Sequence, residues 1–431
     1  MDATSPPPTI LVLGAGLSGL MAAWRLHRRG FAVEVWEGSP AVGGWAQPLP
    51  WPGPQGEPGF LERGPQSLRV APGGPLERLF RDLALDLRPS GPRGPRWLGR
   101  AGARHPSPAT LRGLAGAPGL TFLQRLRLLG EPFAPAASRP DESLQDFFAR
   151  RLGGAFAREW LPALVAGVLA APPERVDLAA LPRLRQLERC GGLFLGSLRS
   201  GPERTRIPAG GVGALARALA RDLDTLHLDR TVRALEPLPG GRWRVHGEDL
   251  AREADRVILA LPSAAAAKLL RPVAPEASAL LEGIPRLDVR VWHSRHRPVP
   301  GWERGFGLLV HPPEGRGLLG AVSFAADDPR GVPGLMQVRT FLGGAYPIDA
   351  ALEAWPGVLT GLRRWLPELP EAVQVREESC PGAFPLLEPG HAARTARLLE
   401  ALPPGLDWLG AARFGSGLPD LAEGIEAWAA I

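Results

Sequence analysis

Asparagine is absent from this 431-residue chain, lysine and tyrosine occur once each (Lys268, Tyr346), and cysteine twice (Cys190, Cys380). Two distant cysteines make neither a disulfide scaffold nor a thiolate metal cluster; a reducing compartment is expected, with one disulfide left open. The eight histidines show no H-E-x-x-H or paired spacing, so no protein-bound metal is expected. Long apolar runs are missing too. The best candidate span, around Trp160 to Ala171, contains Pro162 and stops at Pro172, which excludes a membrane-crossing helix there. Met1 to Pro8 is short and proline-rich, and lacks the apolar core of a signal peptide. With one lysine among 50 Lys plus Arg, arginine supplies nearly all the positive charge. The net charge of +6 comes with no base-reading motif, so a nucleic-acid partner is not expected, and anionic small substrates suit the surplus better.

What is present describes a folded, turn-rich protein. Apolar residues at 45% and charged residues at 22% exclude an acidic disordered chain. The 54 glycines and 49 prolines have no collagen period and separate apolar segments. At this length two or three domains are expected.

The strongest motif starts at Thr9. Thr9 to Leu13 reads as a buried strand, Gly14-Ala15-Gly16-Leu17-Ser18-Gly19 as a glycine turn, Leu20 to Arg29 as a helix, and Phe31 to Trp36 as a second strand ending in Glu37. Strand, glycine turn, helix, strand and acid form the dinucleotide-binding fingerprint in its required context. Gly14 permits the tight turn, Gly16 the approach of a pyrophosphate, and Gly19 close helix–strand packing. The amides of Leu17 and Ser18 open the helix toward the phosphate. Glu37 accepts from ribose hydroxyls.

Further motifs select the dinucleotide. Gly43-Gly44-Trp45 follows Glu37, then Gly64-Pro65-Gln66-Ser67, and near the C-terminus Gly410-Ala411 and Gly415-Ser416-Gly417-Leu418-Pro419-Asp420 before an apolar helical pattern. These segments resemble the monoamine-oxidase-type flavoproteins, which implies FAD. The order of Gly43-Gly44-Trp45, Gly64 to Ser67, Arg96-Trp97-Leu98, Ala166-Gly167-Val168, Ile207 to Gly211, Gly305 to Val310 and Phe341-Leu342-Gly343-Gly344 resembles the protoporphyrinogen oxidase family over nearly the whole chain. Gln66 and Pro419 stand where that family has Asn, and Pro419 removes one N–H donor near the flavin.

The resemblance implies an α/β fold: a discontinuous Rossmann-like FAD-binding domain (1–88, 203–270 and 386–431), an α+β substrate domain (89–109 and 271–385) and a helical insertion (110–202). Leu144 to Arg151 and Leu181 to Leu198 have helical apolar spacing. Leu120 to Phe133, with Arg125 and Arg127, reads either as a basic amphipathic helix on an acidic membrane surface or, preferred, as a core-facing helix with a solvated arginine face. Strands are expected at Val289 to Trp292, Gly307 to Val310, Gly317 to Ser323 and Met336 to Leu342.

The resemblance also assigns roles. Val232 contacts the adenine through its backbone; Ala411, Ser416, Gly417 and Leu418 join the flavin contacts. Arg96 takes a substrate propionate, Leu309 and Val322 sandwich one pyrrole, Phe341 stacks on another, Phe306 lines the same pocket, and Gly167 brings backbone against the substrate. No catalytic acid or base stands out. The implied activity is oxygen-dependent oxidation of protoporphyrinogen IX to protoporphyrin IX in haem synthesis. Coproporphyrinogen III oxidation is the near alternative. An amine oxidase, a carotenoid desaturase and a flavin-binding non-enzyme stay open. A cytoplasmic location is expected, with peripheral contact at the inner face of the cell membrane and a homodimer as open alternatives.

Overall fold

The computed structural model describes residues 8–107, 120–136, 139, 141–199 and 204–430. A five-stranded parallel sheet runs in the order Thr225–His227, Ala32–Trp36, Thr9–Leu13, Arg256–Leu259 and Leu406–Trp408. Three stretches of sequence, far apart, therefore share one sheet. Ile10 to Leu13 are buried, as a parallel strand covered on both faces requires, and so read as a continuous apolar run. The helix Leu17–His27 packs on the sheet through Gly19, Leu20, Ala22 and Ala23, and meets the helices Gly213–Arg221 and Leu418–Ala429. A small antiparallel sheet, Ala234–Pro237, Trp243–His246 and Ala251–Ala254, precedes Arg256–Leu259.

The second large sheet has seven strands, ordered Ala372–Pro385, Arg286–His296, Met336–Gly343, Leu318–Ser323, Phe306–Val310, Arg96–Arg100 and Ala103–Pro106. All neighbours are antiparallel except Phe306–Val310 with Arg96–Arg100. One face packs on the helix Trp355–Arg363 through Phe306, Leu308, Val310, Val338 and Leu342. The opposite face carries Phe341, Leu309, Val322 and Arg339. The 14-residue edge strand Ala372–Pro385 was not expected; exposed Val373 and Val375 alternate with Ala372, Gln374 and Arg376, and Glu377 and Glu378 end the apolar pattern.

Two helical expectations need correction. Leu181 to Leu198 is not one helix but Pro182–Arg189 and Leu193–Arg199, broken at Gly191 and Gly192, whose φ angles are 105° and 102°. The break lets the buried Glu131 carboxylate accept the Leu193 and Phe194 amides at 2.8 and 3.2 Å, while Arg151 neutralises its charge. The helix Phe122–Leu129 does not face the core as preferred: Phe122, Leu123 and Leu126 are exposed, as is nearby Phe133, while Leu120 and Leu128 enter a core. Residues 110–119 of the expected insertion lie outside the described residues. No helix among the described residues is long and apolar enough to cross a membrane.

Candidate active site

The glycine turn after Leu13 has three different physical demands. At Gly14, φ is 104° and a Cβ would lie 2.6 Å from the Ala260 carbonyl oxygen; at Gly19 a Cβ would lie 1.9 Å from that of Gly14. These two glycines are fixed by packing. Gly16 is different: its backbone is extended, and a Cβ would meet no atom within 4 Å. Beyond it the helix Leu17–His27 begins with no side-chain cap and no acid in its first turn. Free amides, a positive dipole end and an open glycine make a phosphate cradle.

Glu37 sits beside this cradle. One carboxylate oxygen accepts the Ala15 amide at 2.7 Å, the other the Ser39 amide and hydroxyl at 3.0 and 2.7 Å. The Asp229 and Arg230 amides bond the Ser39 and Glu37 carbonyls, which places half-buried Val232 at the same end. Gly43 pairs with Gly16, its amide donating to the Ala15 carbonyl at 2.8 Å, so the second glycine pair lies on the first turn. Trp45 in turn meets Gly64, where a Cβ would lie 2.4 Å from the Trp45 carbonyl oxygen. Past Pro65, Gln66 donates to the Glu62 carbonyl at 3.3 Å, while its own side-chain oxygen is buried without a partner among the described residues. Ser67 leads into the strand Leu68–Val70, which packs on the helix Leu418–Ala429. Ala411, Ser416 and Gly417 form the approach to that helix, the Ser416 amide bonding the Ala180 carbonyl at 3.4 Å. Pro419 lies in the first turn, where its missing N–H breaks no intrahelical bond. The cradle, the ribose acceptor and the second helix N-terminus fit FAD.

Asp420 sits in the first turn of the Leu418 helix, with Gly417 at its cap. Burial pushes its carboxyl up to about 6, opposed by Arg69, Arg183 and the Gly417 amide. A folded-state value above the unfolded one means that the folded chain binds more protons between about pH 4 and 6, so this group's contribution is favourable in acid and is lost as pH rises through 6. Asp420→Asn is expected to stabilise the apoprotein by about 1–2 kcal/mol at pH 7.5 after a discount for partial exposure, and not at pH 4. Urea unfolding at the two pH values checks this; an equal effect at both would contradict it.

On the second sheet, directly paired residues share a face. One cross-strand row reads Val291, Phe341, Gly320, Leu309, Leu98. The adjacent row reads Arg376, His293, Arg339, Val322, Gly307, Arg96. Gly167 joins Leu309, since a Cβ on it would lie 2.2 Å from Leu309 Cδ2; Gly344, three residues after Phe341, fits against the Ala170 carbonyl where the helix Leu161–Leu169 ends. Leu309, Val322, Phe341 and Gly167 thus converge. Phe306 does not. It is three residues from Leu309 on one strand, hence on the opposite face, fully buried with its ring 4.7 Å from that of Trp302. It is a core residue, and its expected place in the pocket is corrected.

Arg96 opens onto a cleft of about 460 Å³ lined also by Arg93, Arg204 and Arg206. Arg93 is paired with Asp327, whereas Arg96 and Arg204 form no ion pair among the described residues. Ser90 connects this cleft to the interior: its hydroxyl donates to Asp328 and accepts from Arg330, whose other nitrogen reaches the Gln66 carbonyl. Sequence reasoning missed this polar interior, including Glu62, His293 and Arg339. Arg339 was detectable: it has the same strand parity as Phe341 and is the single charge in the strand Met336–Gly343. Among the described residues no cluster of His, Cys, Asp and Glu is set to hold a metal ion.

The flavin-containing amine oxidoreductase family matches residues 17–403. The chain belongs to that family. It is 32% identical over 379 residues to protoporphyrinogen oxidase of Macaca fascicularis, covering 78% of each chain. It is 28% identical to coproporphyrinogen III oxidase of Propionibacterium freudenreichii subsp. freudenreichii, over 66% of this chain and 63% of that one. A crystal structure from Exiguobacterium sp. 255-15, provisionally assigned as a protoporphyrinogen oxidase, superposes with a TM-score of 0.77 at 20% identity, covering 99% of this chain and 98% of that one. The protein is an FAD-binding oxidoreductase of mixed α/β fold.

Proposed function

We propose that this protein oxidises protoporphyrinogen IX to protoporphyrin IX, with oxygen as electron acceptor, as a step in haem formation. The observation that supports the reading is one sheet face that carries apolar Phe341, Leu309 and Val322 and ends at Arg96, which lines an arginine-rich cleft. A flat, greasy macrocycle with acid arms needs both. Six hydrogens leave the substrate as three hydrides and three protons, and three oxygen molecules become three peroxides. FAD supplies hydride acceptance and transfer of the electron pairs to oxygen.

The chain's own residues bind and orient. Leu309 and Val322 offer an apolar surface, Phe341 a ring face, and Gly167, by lacking a Cβ, makes room for the Leu309 side chain and so sets where that surface lies. Arg96 takes a propionate at the mouth, its guanidinium fork matching the carboxylate. The helix N-terminus at Leu418 favours negative charge at the adjacent end of the flavin site. The test is turnover of protoporphyrinogen IX by the FAD-loaded protein, followed by porphyrin fluorescence and oxygen uptake. Arg96→Ala is expected to raise KM about 10- to 100-fold with a smaller change in kcat, the loss of one charge-assisted contact. An unchanged KM removes Arg96 from this role. Coproporphyrinogen III is the second reading, favoured by the cationic character of the site.

A further inference from the structure

The row that begins with Arg96 at the solvent cleft reaches, three strands in, a buried cationic group with no hydrogen-bond partner among the described residues. Arg339 is fully buried, and its Nε, Nη1 and Nη2 have no hydrogen-bond partner among the described residues. An arginine does not shed its charge to escape burial, so an unpaired guanidinium in the interior marks a place for an anion. Next to it on the same face, His293 is fully buried with both ring nitrogens unpartnered among the described residues, as are both amide atoms of buried Gln337.

Two carboxylates lie nearby, and neither makes a hydrogen bond or ion pair with Arg339 among the described residues. Asp328 is held by Arg330 and Ser90. Glu62 accepts the Val212 amide at 2.8 Å through one oxygen, and its other oxygen has no hydrogen-bond partner among the described residues; its charge and that of Asp328 act on Arg339 through space, without a direct contact. Phe324 offers Arg339 only a ring face, 4.9 Å from its centroid, and shares that ring with Arg330. Burial, then the charges of Arg339 and Arg376, keeps His293 neutral, so it can donate or accept without adding charge.

We propose that Arg339, with His293 and Gln337 beside it, receives a substrate carboxylate at the inner edge of the macrocycle, opposite the one held by Arg96. The inference rests on the porphyrinogen reading above and turns its substrate choice from protoporphyrinogen IX to the second reading, a porphyrinogen with acid arms on both edges. Between the two arginines the row carries only Gly307 and Val322, a shallow apolar floor. Three strand spacings separate them, about 14 Å between backbones. A tetrapyrrole with acid arms on both edges bridges that floor and satisfies both ends. One with acid arms on a single edge and vinyl groups on the other leaves Arg339 unpaired against apolar atoms. The subsite therefore selects porphyrinogens carrying carboxylates on opposite edges, of which coproporphyrinogen III is one.

The test compares kcat/KM for coproporphyrinogen III and protoporphyrinogen IX in the FAD-loaded wild type and Arg339→Met. The ratio of the first to the second is expected to fall at least tenfold in the variant and to recover in part in Arg339→Lys. A ratio within twofold of wild type in a FAD-loaded Arg339→Met protein overturns the proposal. Should that variant fail to retain FAD, the wild type decides by fluorescence titration with coproporphyrin III, its tetramethyl ester and protoporphyrin IX. The free tetra-acid is expected to bind at least tenfold tighter than either other probe, and equal affinities overturn the subsite. A wild type that oxidises neither porphyrinogen refutes the broader function, while the titration still judges Arg339.

Discussion

Gly19→Val is expected to yield no stable folded protein, whereas Gly16→Val folds and purifies without its yellow colour. The two glycines belong to one motif, three residues apart, yet they do different things. A Cβ at Gly19 would sit 1.9 Å from the Gly14 carbonyl oxygen and 3.1 Å from Ala260 Cβ, where helix and strand are in direct contact. Neither neighbour is the free end of a flexible side chain, so the helix itself must move. The penalty should exceed the roughly 1–3 kcal/mol usual for an overpacked core. Gly16 has φ −67° and ψ 172°, which any residue adopts, and open space where its Cβ would go. Its side chain would fill the path of the pyrophosphate and leave the apoprotein's stability within about 0.5 kcal/mol of wild type. Thermal melting of the apoproteins and titration with FAD separate the cases. Undiminished FAD affinity in Gly16→Val would place the pyrophosphate elsewhere.

That contrast also shows how far the sequence could be read. Thr9 to Glu37 was legible because each of its parts answers to a local rule: buried strand, turn glycines, helix, acid. The convergence of Gly43, Gly64 and the Leu418 helix on that turn was legible only through family resemblance, since nothing local says that Gly43 will pair with Gly16. The substrate sheet lay between these extremes. Its strands were visible as apolar runs, and their parity already placed Phe341 and Arg339 on one face. What parity could not supply was register: which residue of each strand stands opposite which decides that Arg339, Val322, Gly307 and Arg96 form a row. The exposed Phe122, Leu123 and Leu126 were misjudged for a similar reason, because an amphipathic pattern does not say whether anything covers its apolar side.

Phe306 is the sharpest case, and it makes the last prediction. A phenylalanine three residues before Leu309, in a glycine-rich strand, matched a pocket position by resemblance, but strand geometry turns residues three apart to opposite faces. Here Phe306 packs with Trp302 and lies 5.8 Å from the ring of Trp97, in the core against Trp365 and Leu362. Phe306→Ala should therefore cost about 3–5 kcal/mol of folding stability, the range for a buried ring replaced by a cavity, and leave KM for porphyrinogen close to wild type in whatever protein remains folded. Phe341→Ala should do the reverse. Phe341 is only half-buried, on the face that carries Leu309 and Val322, so its stability loss is expected to be smaller, and on the proposed function KM rises several-fold as a stacking surface is lost. Urea unfolding alongside steady-state kinetics on both variants checks the pair. A Phe306→Ala protein of undiminished stability with a raised KM would return that ring to the pocket, and would mean that the strand Phe306–Val310 is rotated about its own axis relative to the arrangement described.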